Sequence, residues 1–128
     1  MIAKQLESVA LFASLSRGER ERIARWMDEV DVPAGKELTS EGGFGHEFFV
    51  IEDGTASVRH GDEEIANLGP GDFFGEIALL ETERRTATVI AETPMRLIVM
   101  FEREFRQMER ELPSVADRVR SAIYARLN

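Results

Sequence analysis

Apolar positions change their period twice along this chain. From Met1 to Phe12, Leu6, Val9, Ala10 and Phe12 recur at roughly helical spacing. Ser16-Arg17-Gly18-Glu19 then reads as a capping box, in which Ser16 accepts from the backbone and Glu19 reaches back. The helix it opens is predicted to run to about Val30, with Ile23, Trp26, Met27 and Val30 facing inward. Pro33, Ala34 and Gly35 end it. From Lys36 to Phe101 the apolar or β-branched runs are short: Phe48 to Ile51, Ala56 to Val58, Ile65 to Leu68, Thr86 to Ala91 and Arg96 to Phe101. Turn signals separate them at Gly42-Gly43, Asp53-Gly54, Gly61-Asp62, Gly69-Pro70-Gly71 and Thr93-Pro94. Strands this short at this spacing predict a sandwich or barrel, with Asp53-Gly54 read as a hairpin turn. Only Glu76 to Glu81 breaks the pattern, as a short run of helix formers behind Gly75. Helical spacing returns in Phe105, Met108 and Leu112. Pro113 interrupts it, and Ser114 is placed to cap a last helix with Val115, Val119, Ala122 and Ile123 on one side.

The expected architecture is therefore mainly β with helices at both ends, in a single domain spanning 1–128. Helices are expected over about 1–30, strands over about 31–101 with the short helix at 76–81, and helices again over about 102–127. A chain of 128 residues can build its own core. Cysteine is absent, which excludes a disulfide framework, a thiolate metal site and a cysteine nucleophile. His46 and His60 lie beside turns with no spaced partner, so no metal is expected. No apolar run approaches a membrane span, and Lys4 and Glu7 stand where a signal peptide is apolar. The expected location is the cytoplasm.

The net charge of −8 argues against a nucleic-acid surface. The charge is also uneven. From Asp28 to Glu83 there are 15 acidic residues and two basic ones, Lys36 and Arg59, and Arg84-Arg85 come directly after them. A cationic pair at the end of an acidic stretch points to one local anion site. Arg84 itself is expected to be solvated, or paired with Glu81 or Glu83.

Candidate chemistry concentrates between Gly69 and Val89. Gly69-Pro70-Gly71-Asp72 makes a tight turn, and Phe73-Phe74 anchors the next segment in a core. Gly75 allows close backbone approach at the start of the short helix, whose first amides favour an anion. Ala78 keeps that surface low. Arg85 can return to the same anion as a bidentate donor. Glu76 would repel a phosphate unless it accepts from a neighbouring hydroxyl. These parts describe a ligand with one phosphate and one ribose.

At this point Phe74-Gly75-Glu76-Ile77-Ala78-Leu79-Leu80, with Arg85-Thr86-Ala87-Thr88-Val89 beyond it, resembles the phosphate-binding cassette of cyclic-nucleotide-binding domains. That family includes protein kinase A regulatory subunits, cyclic-nucleotide-gated channels and the bacterial cyclic AMP receptor protein. Glu41-Gly42, Gly45, Phe48 to Ile51 and Gly54 are similar to its early strands, and the likeness covers about Leu11 to Asn128. It implies a jelly-roll-type β-roll (a double-stranded β-helix). It implies that the Gly75 and Ala78 amides approach sugar and phosphate, with Ile77 in the same stretch. Glu76 would accept from the ribose 2′-hydroxyl and Arg85 would pair with the cyclic phosphate. Thr86 would add a hydroxyl contact, and Val58 and Ile65 would pack on the base. Val119, Ile123 and Tyr124 are candidates to cap the base, by periodicity alone.

The function this implies is a stand-alone sensor for cyclic AMP, with cyclic GMP kept open by Thr86. Its chemistry would be binding rather than turnover, and the ligand would shift a C-terminal hinge from about Arg103 to Asn128. No cofactor is expected. The alternative is a protein-interaction module of the same fold, ligand-independent or reading another anion. An enzyme has no support, since no nucleophile set or second placed carboxylate is present. Family transcription factors carry a helix-turn-helix after the long helix, where this sequence ends at Asn128. Direct DNA binding and membrane contact are therefore not expected. The output is expected in an unidentified effector protein, or in a homodimer through the C-terminal helix.

Overall fold

Among the described residues, helical ends flank ten short strands. The computed structural model describes residues 2–81 and 83–127. Its helices are α1 (Ile2–Leu6), α2 (Arg17–Ile23), α3 (Glu102–Glu111) and α4 (Pro113–Leu127), with 3-10 turns at Ala10–Phe12, Ala24–Trp26 and Glu76–Leu79. The strands are β1 (Asp28–Val32), β2 (Glu37–Thr39), β3 (Phe44–Gly45), β4 (Glu47–Asp53) and β5 (Ala56–His60). The remaining five are β6 (Glu63–Leu68), β7 (Phe73–Phe74), β8 (Glu83–Arg84), β9 (Thr88–Ala91) and β10 (Met95–Phe101). They form two antiparallel four-stranded sheets, ordered β1-β10-β4-β7 and β2-β9-β5-β6, and a small β3-β8 ribbon. This is an antiparallel β-roll with flanking helices.

The capping box forms as expected. Glu19 N donates to Ser16 Oγ at 3.2 Å, and Ser16 N donates to Glu19 Oε1 at 2.8 Å. The helix it opens stops well before Val30, however. Val30 lies on β1 and is 40% exposed. Val30 and Val32 are β-branched, and β1 pairs over its whole length with β10, from Asp28 opposite Val99 to Val32 opposite Met95. That ladder satisfies the backbone better than another helical turn would, so the roll begins at Asp28 rather than at 31.

Asp53-Gly54 is not a hairpin. β4 pairs with β10 and β7, whereas β5 pairs with β6 and β9, so the turn carries the chain from one sheet to the other. Gly54 has φ 92°, and a Cβ there would sit 2.5 Å from the Pro94 carbonyl oxygen. Glycine is required by this crossing. The tight hairpin is instead Gly61-Asp62, between paired His60 and Glu63. Pro113 occupies the first position of α4, where a missing N–H costs nothing, so Ser114 lies inside the helix instead of capping it. The short helix expected at 76–81 is a 3-10 turn ending at Leu79.

β4 and β10 are buried on both faces, which explains their continuous apolar runs. Phe48, Val50, Ile98 and Met100 join the helices in one core with Phe12, Ile23, Phe105 and Val119. Phe49, Ile51, Leu97 and Val99 point the other way, into the roll, with Phe74, Val89 and Met95. Glu52 is the extra residue of a bulge in β4, between the Leu97–Ile51 and Arg96–Asp53 pairs.

Candidate functional site

Inside the roll the packing stops short and leaves a cavity of about 300 Å³. Val58 of β5, Leu68 of β6 and Val89 of β9 form its apolar wall, opposite Phe73 and Phe74 of β7. The polar side is Gly75 to Ala78 and Arg84 to Ala87, with Thr39 behind. Two segments read as one motif in the sequence thus meet across one space.

Gly75 precedes the 3-10 turn in a left-handed conformation, φ 78° and ψ 15°. A Cβ at this position would lie 2.6 Å from the Glu47 carbonyl oxygen and 2.7 Å from Arg85 Nη1. Glycine is therefore needed both for the turn and for the guanidinium beside it. Ala78 is 3% exposed, and its amide donates to Gly75 O at 3.1 Å, so its direct contribution is a small side chain in the wall.

Arg85 is held from several sides. Its Nη2 donates to Glu47 O at 2.7 Å. Its backbone N donates to Gly43 O at 2.6 Å, and its carbonyl accepts from Gly42 N at 2.8 Å. Any side chain at Gly45 would overlap the guanidinium. Burial lowers the Arg85 pKa from its ordinary value, while the carboxylates of Glu47 and Glu76 pull it back up. A half-buried cation with a preset geometry can receive an anion without first being ordered.

Thr86 is exposed at the cavity mouth. Its carbonyl lies 3.3 Å from His60 Nδ1, which also lies 3.3 Å from Glu41 Oε2. Glu41 in turn accepts from Gly61 N at 2.8 Å. His60 is thus part of the loop scaffold, and among the described residues no cluster of potential metal ligands exists.

The structure brings together Val58, Gly75, Glu76, Ile77, Ala78, Arg85 and Thr86. Ile65 is not among the cavity-lining residues. It is 56% exposed on β6, an edge strand, while Leu68 of the same strand lines the wall. Val119 and Ile123 are 1% and 0% exposed in the helix-side core, so their spacing marks a packing face rather than a lid. Tyr124 is 53% exposed. From α4, Arg126 reaches the cavity wall, its guanidinium 4.4 Å from the centre of the Phe73 ring.

The sequence pattern assigns no site role to Thr39, Gly45 or Glu47, and to Arg84 only a share in the cationic pair. Thr39 Oγ1 donates to Ala87 O at 3.1 Å, tying down the chain just after Arg85. Arg84 is exposed, as expected, but its side chain is anchored. It donates to Gly42 O at 2.6 Å and stacks on Phe44 at 4.5 Å. The only local signal for these contacts was the glycine cluster at 42, 43 and 45.

An apolar wall facing a fixed cation and a carboxylate defines a β-roll whose cavity suits a small anionic ligand. A profile for the cyclic nucleotide-binding domain matches residues 29–111. The chain belongs to that family.

It is similar to a cAMP-dependent protein kinase regulatory subunit of Neurospora crassa, 36% identical over 117 residues, covering 90% of this chain and 30% of that protein. The chain thus spans less than a third of that relative. In structure it is similar to the N-terminal domain of a transcriptional regulator from Streptomyces coelicolor A3(2), with TM-score 0.87 and 27% identity, covering 96% of this chain and 90% of that one. It is also similar to the Thermus thermophilus Catabolite Activator Protein, with TM-score 0.79 and 28% identity, covering 92% and 58%. Among the described residues no helix is long and apolar enough to cross a membrane.

Proposed function

We propose that residues 1–128 act as one regulatory domain that senses cyclic AMP, with cyclic GMP as the competing ligand. Arg85 pairs with the cyclic phosphate, and Glu76 accepts from the ribose 2′-hydroxyl. Thr86 adds its hydroxyl at the mouth, and the base lies against Val58 and Leu68. The observation that carries this reading is the Arg85 guanidinium, half-buried in the cavity and braced by the Glu47 carbonyl between Gly45 and Gly75.

The output is a population shift in the C-terminal helices. Four contacts support that route. Arg106 of α3 donates to the carbonyl of Leu80, just past the cassette turn, at 3.0 Å. Arg106 also pairs with Glu109, and Glu109 with Arg120 of α4. Arg126 on Phe73 gives α4 a direct hold on the cavity wall. A ligand that moves the cassette turn therefore biases α3 and α4. The kinase regulation named for the fungal relatives makes a protein kinase the first effector to test.

The test is calorimetric titration with cyclic AMP and cyclic GMP after stripping co-purified nucleotide. Micromolar or tighter binding, lost in Arg85→Ala, is expected. A charge-assisted pair of this kind is worth about 1.5–3 kcal/mol. No binding of either nucleotide by folded protein overturns the reading and favours an interaction module.

A further inference from the structure

The two arginines at the cavity differ in their surroundings. Arg85 has two carboxylates as charge neighbours, Glu47 and Glu76. The charge of Arg85 is therefore partly offset before any ligand arrives. The roll around it is acidic as well, with 15 acidic and two basic residues between Asp28 and Glu83. An anionic ligand must approach against that field.

Arg84 also lines this cavity, but as an exposed residue of β8. It stands directly opposite Phe44 in the β3-β8 ribbon. Its guanidinium lies 4.5 Å from the Phe44 ring centre and donates to Gly42 O at 2.6 Å. A ring face and a carbonyl are both uncharged anchors. They fix the direction of the cation and leave its full charge facing outward. Phe44 is 61% exposed and joins neither core. Holding Arg84 gives that ring a purpose.

We propose that Arg84 is the electrostatic entry residue of the cavity, speeding capture of the anionic nucleotide while adding little to its retention, and that Phe44 is its positioning residue. The inference rests on the cyclic-nucleotide reading. Fixed charge at the mouth of a cleft raises the association rate, and the gain fades as salt is added. Charge within the cleft instead governs dissociation.

The test is stopped-flow association and dissociation of a fluorescently labelled cyclic AMP across a salt series. In low salt, Arg84→Gln is expected to slow association about five- to tenfold, with dissociation changed less than twofold and a flatter salt dependence. Arg84→Lys is expected to keep most of the rate, since the charge remains. Phe44→Ala is expected to fall between, because the cation stays but is no longer aimed. An unchanged association rate in Arg84→Gln overturns the proposal. So does an effect confined to dissociation, or an equal loss in Arg84→Lys with the salt slope intact. If the unaltered protein binds no labelled nucleotide, the nucleotide reading fails and this inference fails with it.

Discussion

β4 and β10 each serve two regions of opposite character. On their helix side, Phe48, Val50, Ile98 and Met100 belong to a core that, among the described residues, has 18 buried members and is closed by α1 to α4. On the roll side, Phe49, Ile51, Leu97 and Val99 belong to one of nine, and beyond it the packing gives way to the cavity. The same strands, two residues per repeat, thus separate stability from binding. One face can be filled to native density while the other stays open.

That division predicts mutants that damage one region and spare the other. The largest effect belongs to the helix side. Phe48 is fully buried, with an edge contact to Phe12 and a tilted ring contact to Phe73. Phe48→Ala is expected to lose about 3–5 kcal/mol in urea unfolding. A loss below about 1 kcal/mol would mean this core is not the main source of stability.

Next comes a mutant of the cavity side. Gly45→Ala must push the Arg85 side chain away, and that flexible end can move without disturbing the sheets. The expected result is a stability change within about 1 kcal/mol and an affinity loss of at least tenfold, close to that of Arg85→Ala. Equal affinity in Gly45→Ala would show that the observed Arg85 position is not the binding one.

A third change sharpens the boundary of the helix-side core. Glu52 Oε2 is buried without a hydrogen-bond partner among the described residues, facing the Glu29 carboxyl. Two carboxylates cannot bond unless one carries a proton. Burial raises the Glu52 pKa, the Glu29 carboxyl raises it further, and Arg96 offsets part of this. A raised acid pKa means stability is greatest below the unfolded value and falls as pH rises through the folded one. Glu52→Gln is expected to remove that decline and to gain about 1 kcal/mol at pH 7. Denaturation midpoints against pH above 4.5 check it, and parallel curves for the two proteins would refute it.

The smallest effect has the opposite sign in pH. Glu19 is held at about 2 by Arg118 of α4, with the Ser16 backbone assisting. Its contribution is present above the ordinary carboxylate value of 4.5 and lost as pH falls toward 2. Glu19→Gln should therefore narrow the stability gap between pH 6 and pH 3 in thermal melts. An unaltered gap would show that the pair with Arg118 adds nothing.

Features carried by neighbouring residues were legible in advance. The capping box at Ser16 and Glu19 is one, because its donors and acceptors lie three positions apart. The cassette from Gly75 to Arg85 is another, since a turn glycine, a carboxylate and a returning arginine form a local pattern. Misreadings arose where a local rule met a distant partner. The helical spacing of Ile23, Trp26 and Met27 runs on to Val30, but β10 claims that segment for a sheet. Asp53-Gly54 has hairpin chemistry, yet its flanking strands pair elsewhere. Val119 and Ile123 were correctly grouped on one face, but spacing cannot say which surface that face meets.

By itself, then, the sequence determined a mainly β chain with helical ends and a cassette that joins a turn glycine, a carboxylate and an arginine. Periodicity, capping and turn chemistry act over a few residues, and they are written in order along the chain. Only the tertiary structure decided that Gly45 and Glu47 brace Arg85, that Leu68 rather than Ile65 lines the wall, and that Arg126 reaches Phe73. Those contacts join segments far apart in sequence. They depend on how the two sheets close over each other, which no local rule contains.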